Sequence, residues 1–159
     1  MYTSAADYRS SCLVGLHSGP SSGEDDFRKS FEAIEAINER AGAALGVILL
    51  VIDEGDHIPT SRWRRKFAEL RRGSRPYRLA FITESKLARG VITAIDWLQP
   101  PEPAQQVKAW PTVREGIAWI EHERGQPMPI LQRLYGEARK AGLPRPDERS
   151  AGRGDSRAP

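Results

Sequence analysis

"ALGVILLVID", residues 44–53, decides the fold. It has no polar residue before Asp53, so it lacks the alternation of a strand with one face in water. Its β-branched centre and its length suit a strand instead of a helix, and its unbroken apolar run suits a strand covered on both faces. A strand of that kind needs neighbours on both sides and helices above and below. The flanking sequence supplies them.

Three further blocks read as strands: "SCLVGLHS" (11–18), "PYRLAFIT" (76–83) and "QQVKAW" (105–110). Between them lie stretches with helical spacing. Phe27, Phe31, Ile34 and Ile37 form one stripe, with Ser22 as cap, Glu24, Asp25 and Asp26 at the positive helix end, and Gly42 as stop. Thr60 or Ser61 can cap a second helix, which places Trp63, Phe67 and Leu70 on one side and stops at Gly73. Ser85 opens a third helix with Leu87, Val91, Ala94, Ile95 and Leu98 expected on its buried face, and Pro100, Pro101 and Pro103 end it. Thr112 and Glu115 form a capping box for a fourth, which buries Val113, Ile117, Ala118 and Ile120. Trp97 and Trp119 border these stripes and are expected to be buried.

The expected fold is therefore α/β: four successive β/α units, with a mostly parallel four-stranded sheet and packed helices. The domain spans 9–124, after a flexible N-terminus at 1–8. Ile130, Leu131, Leu134, Tyr135 and Ala138 mark one further helix, appended over 125–143. The tail 144–159 is rich in Pro, Gly, Arg and Asp and is expected to be disordered; its "RGD" (153–155) is a chance occurrence.

With 159 residues, 39% apolar and 28% charged, the chain has the composition of a soluble globular domain. No apolar run approaches the ~20 residues that span a bilayer, and "MYTSAADYRSS" shows no secretory leader. The single cysteine, Cys12, lies in an expected strand, and a lone buried thiol suits the reducing cytoplasm. Net charge is only +3, but residues 62–75 carry Arg62, Arg64, Arg65, Lys66, Arg71, Arg72 and Arg75 against Glu69 alone. That basic patch points to an acidic partner, with a protein ahead of nucleic acid.

Chemistry-bearing residues gather at the expected carboxyl edge of the sheet, where open α/β sheets bind their ligands. They are His17, Asp53, Asp56, His57, Thr83, Ser85 and Trp110, with Thr60 and Ser61 nearby. Between strand and helix, "DEGDHIPTSRW" (53–63) reads as a connection rich in capping and Asx-turn residues. Asp53, Asp56 and His57 lack a second histidine at helical spacing or a cysteine pair, so no metal site and no cofactor is expected. His17 and His122 stand alone as surface or packing histidines. Asp53, Thr83 and Lys108 follow the order of a receiver domain's aspartate, threonine and lysine. However, "LVGLHSGP" supplies no acid pair for Mg²⁺, the sheet is one unit short, and Lys108 lies inside its strand. No phosphate loop, nucleophile elbow or zinc-helix motif occurs, and enzyme activity is not expected.

Two stretches carry a resemblance: "SKLARGVITAIDWL" (85–98), and "VKAWPTVREGIAWI" (107–120) with its threonine-capped helix bearing Ala118 and Trp119. Together they resemble the C-terminal half of bacterial SpoIIAA-like, STAS-type domains, and the earlier blocks agree in order over 9–124. The resemblance implies a fold of four β/α turns. It also implies a switch that binds a protein partner, an anti-sigma kinase in the characterised members, and is released by phosphorylation of a serine at the start of the second helix. In place of that family's Asp-Ser-Gly-aliphatic motif this chain has "DHIPTSRW" (56–63), which makes Thr60 and Ser61 the candidate phosphorylation positions. The expected function is a non-catalytic regulatory or protein-interaction module that uses the strand edge and the basic helix. The alternatives are a phosphoacceptor domain, or weak nucleic-acid, lipid or small-molecule binding of the Sec14 kind. No membrane span is expected and no oligomeric state is assigned.

Overall fold

A computed structural model describes residues 1–19, 23–40, 45–52, 61–62, 65–66, 76–98 and 104–142, without the side chains of 91 and 94–98. The strands are β1 (Tyr2–Asp7), β2 (Cys12–His17), β3 (Gly46–Ile52), β4 (Tyr77–Ile82) and β5 (Gln105–Trp110). They form one five-stranded sheet in the order β1-β2-β3-β4-β5. β2 to β5 are parallel in chain order, as the β/α alternation predicts. The fifth strand is a correction to the four-stranded expectation: residues 1–8 are not a loose lead, because Tyr2–Asp7 pairs antiparallel with β2. A tight hairpin makes this possible. The Asp7 carboxylate accepts from the N–H groups of Arg9 (3.0 Å) and Ser10 (3.1 Å), an Asx-type turn. Ser11 adopts the left-handed conformation (φ 55°) that brings the chain back.

The four described helices are α1 (Glu24–Arg40), α2 (Lys86–Leu98), α3 (Val113–Arg124) and α4 (Pro129–Ala141). They sort the core into two layers. On one face Ile34 and Ile37 of α1 pack against Leu13, Ile48, Tyr77 and Leu79. On the other, Ile117, Trp119 and Ile120 of α3 join Leu131, Leu134 and Ala138 of α4 over Cys12, Val14, Leu16, Val47, Leu49 and Val51. β3 is thus buried along its whole length. α2 lies against β5.

α4 is not an appendage. Leu131 and Ala138 are fully buried, and the helix covers β1 and β2. Gly125, in the left-handed region at φ 65°, ends α3 and donates to the carbonyls of Glu121 and His122. The Met128 N–H then bonds Glu121 Oε1 at 2.8 Å, which fixes the angle between α3 and α4. The core is therefore continuous from β1 to α4, beyond the expected 9–124.

Two side-chain placements also differ from expectation. Leu87 is 64% exposed. Ala88, about 100° further round the helix, is buried in its place and Ile92 is half-buried. Ala118 is exposed as well, because Gly116, Ile117, Trp119 and Ile120 make the buried face of α3. The side chains of Val91, Ala94, Ile95, Trp97 and Leu98 lie outside the described ones, as do residues Ser22, Gly42, Trp63, Phe67, Leu70, Gly73 and the tail.

Gly116 sets the spacing between α3 and the sheet. A Cβ there would sit 2.3 Å from Ile82 Cδ1 and 3.3 Å from Ala80 Cβ. Alanine favours helix by up to about 1 kcal/mol over glycine, but overpacking a closed core costs about 1–3 kcal/mol. Gly116→Ala should therefore lower stability, by about 1 kcal/mol net. Trp119→Ala, which empties a site only 7% exposed, should cost about 3 kcal/mol or more. Denaturant midpoints of the two variants check both values.

Candidate functional site: the carboxyl edge of the sheet

The parallel register brings the strand ends level. His17 pairs with Ile52, Val51 with Ile82, and Ile82 with Trp110. Four of the expected edge residues are described there: His17, Thr83, Ser85 and Trp110. Asp53, Asp56, His57 and Thr60 lie outside the described residues, as do Arg64, Arg71, Arg72 and Arg75 of the basic patch.

Thr83 and Ser85 turn β4 into α2. The Thr83 N–H donates to the Trp110 carbonyl (3.0 Å), which extends the ladder one residue past the strand. Thr83 Oγ1 accepts from the Ser85 N–H (3.2 Å), and Ser85 Oγ accepts from the Ala88 N–H (3.2 Å), the helix cap expected from sequence. Arg89 closes the turn by donating to the carbonyls of Thr83 (2.7 Å) and Glu84 (2.9 Å). Arg89 escaped the sequence reading, because its partners are backbone carbonyls five and six residues before it. Thr83 itself is 2% exposed. It is part of the fold's frame, while Lys108 pairs with Ala80 and stands 5.4 Å over the Trp119 ring; Asp53, the third residue of the receiver-like order, lies outside the described residues.

His17 is a packing histidine. Its ring is 1% exposed and lies between Tyr2 (4.9 Å between centroids) and Phe27 (5.5 Å). Gly15 makes this stack possible, since a Cβ there would come within 2.7 Å of the Tyr2 hydroxyl. Tyr2 was invisible as a neighbour of His17 because the pairing of β1 was not foreseen, and Phe27 because its contact joins α1 to the end of β2. Trp110 is half-buried with its ring 6.2 Å from that of Trp119.

Cys12 is fully buried, and burial pushes its thiol up, away from the reactive thiolate. Among the described residues no group of His, Cys, Asp and Glu could hold a metal ion, and no helix is long and apolar enough to cross a membrane. Ser61, Arg62 and Arg65 lie in helical backbone and are exposed; Lys66 is half-buried, 5.2 Å from the Phe31 ring.

Burial pushes the Tyr2 phenol up to about 12, against a smaller opposing pull from Ser4. The folded state thus favours neutral Tyr2. Its contribution is whole below the ordinary value of 10.0 and is lost as pH rises toward about 12. Tyr2→Phe should therefore unfold less steeply on the alkaline side than the parent, measured by denaturant titration across that window.

Comparison with protein-family models, with curated proteins and with solved structures finds no match.

Proposed function

We propose that this chain is a non-catalytic regulatory or protein-interaction module of the STAS-like kind its sequence resembles. On this reading the four parallel strands in chain order are the four β/α turns of that fold, with β1 and the α3–α4 pair completing it. One observation carries the binding role. Of the described candidate residues, those exposed to solvent are Ser61, Arg62 and Arg65, while His17 and Thr83 are buried within the frame. The accessible chemistry is a helix surface of positive charge, suited to an acidic protein surface.

Arg62→Glu with Arg65→Glu should weaken the complex by about tenfold, chiefly through the on-rate and its salt dependence. The measurement is surface-immobilised binding kinetics with the partner captured from a native lysate by the parent chain. Equal kinetics for parent and variant would reject the basic surface as the docking site. Turnover of a small substrate by the purified chain would reject the non-catalytic role.

The exposure of Ser61 favours a phosphoacceptor variant of the same reading. A phosphate there would bring about −1.5 to −2 charge beside Arg62 and Arg65 and neutralise the local positive charge. Ser61→Asp should then release the partner while Ser61→Ala retains it, in the same binding assay.

A further inference from the structure

The outer edge of β1 has a pattern of its own. In an antiparallel pair, alternate residues exchange both backbone bonds with the neighbouring strand. Met1 and Ser18 exchange both, at 2.8 and 2.9 Å. By alternation Thr3, Ala5 and Asp7 face β2, while Tyr2, Ser4 and Ala6 turn their N–H and C=O groups outward. Tyr2 bears this out, since its N–H donates to Asp26 Oδ1 of α1 (3.0 Å) and not to β2. Ser4 and Ala6 are exposed. Soluble sheets guard their edges with charge, proline or a bulge. β5 carries the exposed Lys108. β1 carries charge only at its ends, on Asp7 and the Met1 amino group; Tyr2–Ala6 between them has no charged side chain and no proline, and its register with β2 is unbroken.

We propose that β1 pairs antiparallel with β1 of a second copy, about a two-fold axis at Ala5, to form a continuous sheet through both molecules. The free backbone groups select this register. Ser4 stands opposite Ala6 of the second copy and Ala6 opposite its Ser4, so every outward group of these two residues is used. The register with Ser4 opposite Ser4 needs the Tyr2 N–H, which Asp26 already holds.

Charge on α4 argues for a second copy as the occupant. α4 runs antiparallel to β1, with Ala138 held by Thr3 Oγ1 (3.0 Å) and Arg133 by Asp7 (3.2 Å). Arg133 and Glu137 are both exposed and lie on one stripe, 2.9 Å apart. A two-fold axis at Ala5 passes between them and brings Arg133 of each copy toward Glu137 of the other. The contact is a short strand and one helix side, at the small end of specific interfaces, so a reversible dimer is expected.

Sedimentation of the full chain from micromolar to millimolar concentration should show monomer giving way to dimer. Ala6→Pro removes an outward N–H that β2 does not use, and Ser4→Lys places charge on the edge. Each should weaken dimerisation by about tenfold or more while leaving thermal unfolding near that of the parent. Should the proline variant fail to fold, the lysine variant carries the test. Ala5→Cys should cross-link under oxidation, because directly opposed non-hydrogen-bonded positions bring Cα atoms to about 4.5 Å. A chain that stays monomeric throughout would overturn the proposal. So would a dimer indifferent to both edge variants, or a monomer that takes up only a foreign extended peptide at β1.

Discussion

A strand with apolar side chains on both faces can leave neither face in water. β3, seven buried residues from Gly46 to Ile52, imposes that requirement on the rest of the molecule. α1 answers it on one face and α3 with α4 on the other. At about 1.5–3 kcal/mol for each buried aliphatic side chain, exposing Val47, Leu49 and Val51 would cost a large share of a small domain's net stability of about 5–15 kcal/mol. The C-terminal helix is therefore as necessary as any strand. Its position also explains β1: α4 reaches past β2, and Thr3, Ala5 and Asp7 find their contacts on it.

The close approach of α3 depends on one small residue. Gly116 lets the helix lie directly on Ala80 and Ile82, which positions Trp119 over the sheet and Ile120 in the centre of the layer. Thr112 caps that helix, with the Glu115 N–H donating to its Oγ1 (3.3 Å) and its own hydroxyl donating to Glu115 Oε2 (2.6 Å). That helix therefore starts with only Pro111 and Thr112 between it and β5.

The parallel strands were legible because apolar runs and helical stripes are local properties. The strands at 46–52, 77–82 and 105–110 lie within the stretches expected from sequence. β1 was not legible, since "YTSAAD" has neither strong strand formers in alternation nor a long apolar run. It is a strand because a neighbour and a helix receive it. The error at Leu87 is of another kind. A stripe read from spacing fixes which residues share a face, but the sheet beneath fixes which face turns inward, and Ala88 suits the close contact better than a leucine. Spacing was likewise ambiguous about α4, whose stripe says "buried" without saying against what.

Polar residues at the strand ends were the least legible part, for a physical reason. Hydroxyl and imidazole groups serve catalysis, binding and capping with the same atoms, and only their burial and partners separate these uses. At Thr83 and Ser85 the partners are backbone N–H groups of the β4–α2 turn. At His17 the neighbours are two aromatic rings, one delivered by β1 and one by α1. The first is local, and its Ser85 cap was legible; the second was not, since it depends on chain segments distant in sequence. Two described features stay outside that frame: the exposed Arg62 and Arg65, and the outward backbone groups of Ser4 and Ala6. The first is sensitive to salt and selects partners by sign. The second is insensitive to side-chain identity and selects them by extended shape. An acidic partner at the first and a second copy at the second are the two occupants proposed above, and salt and edge variants separate them.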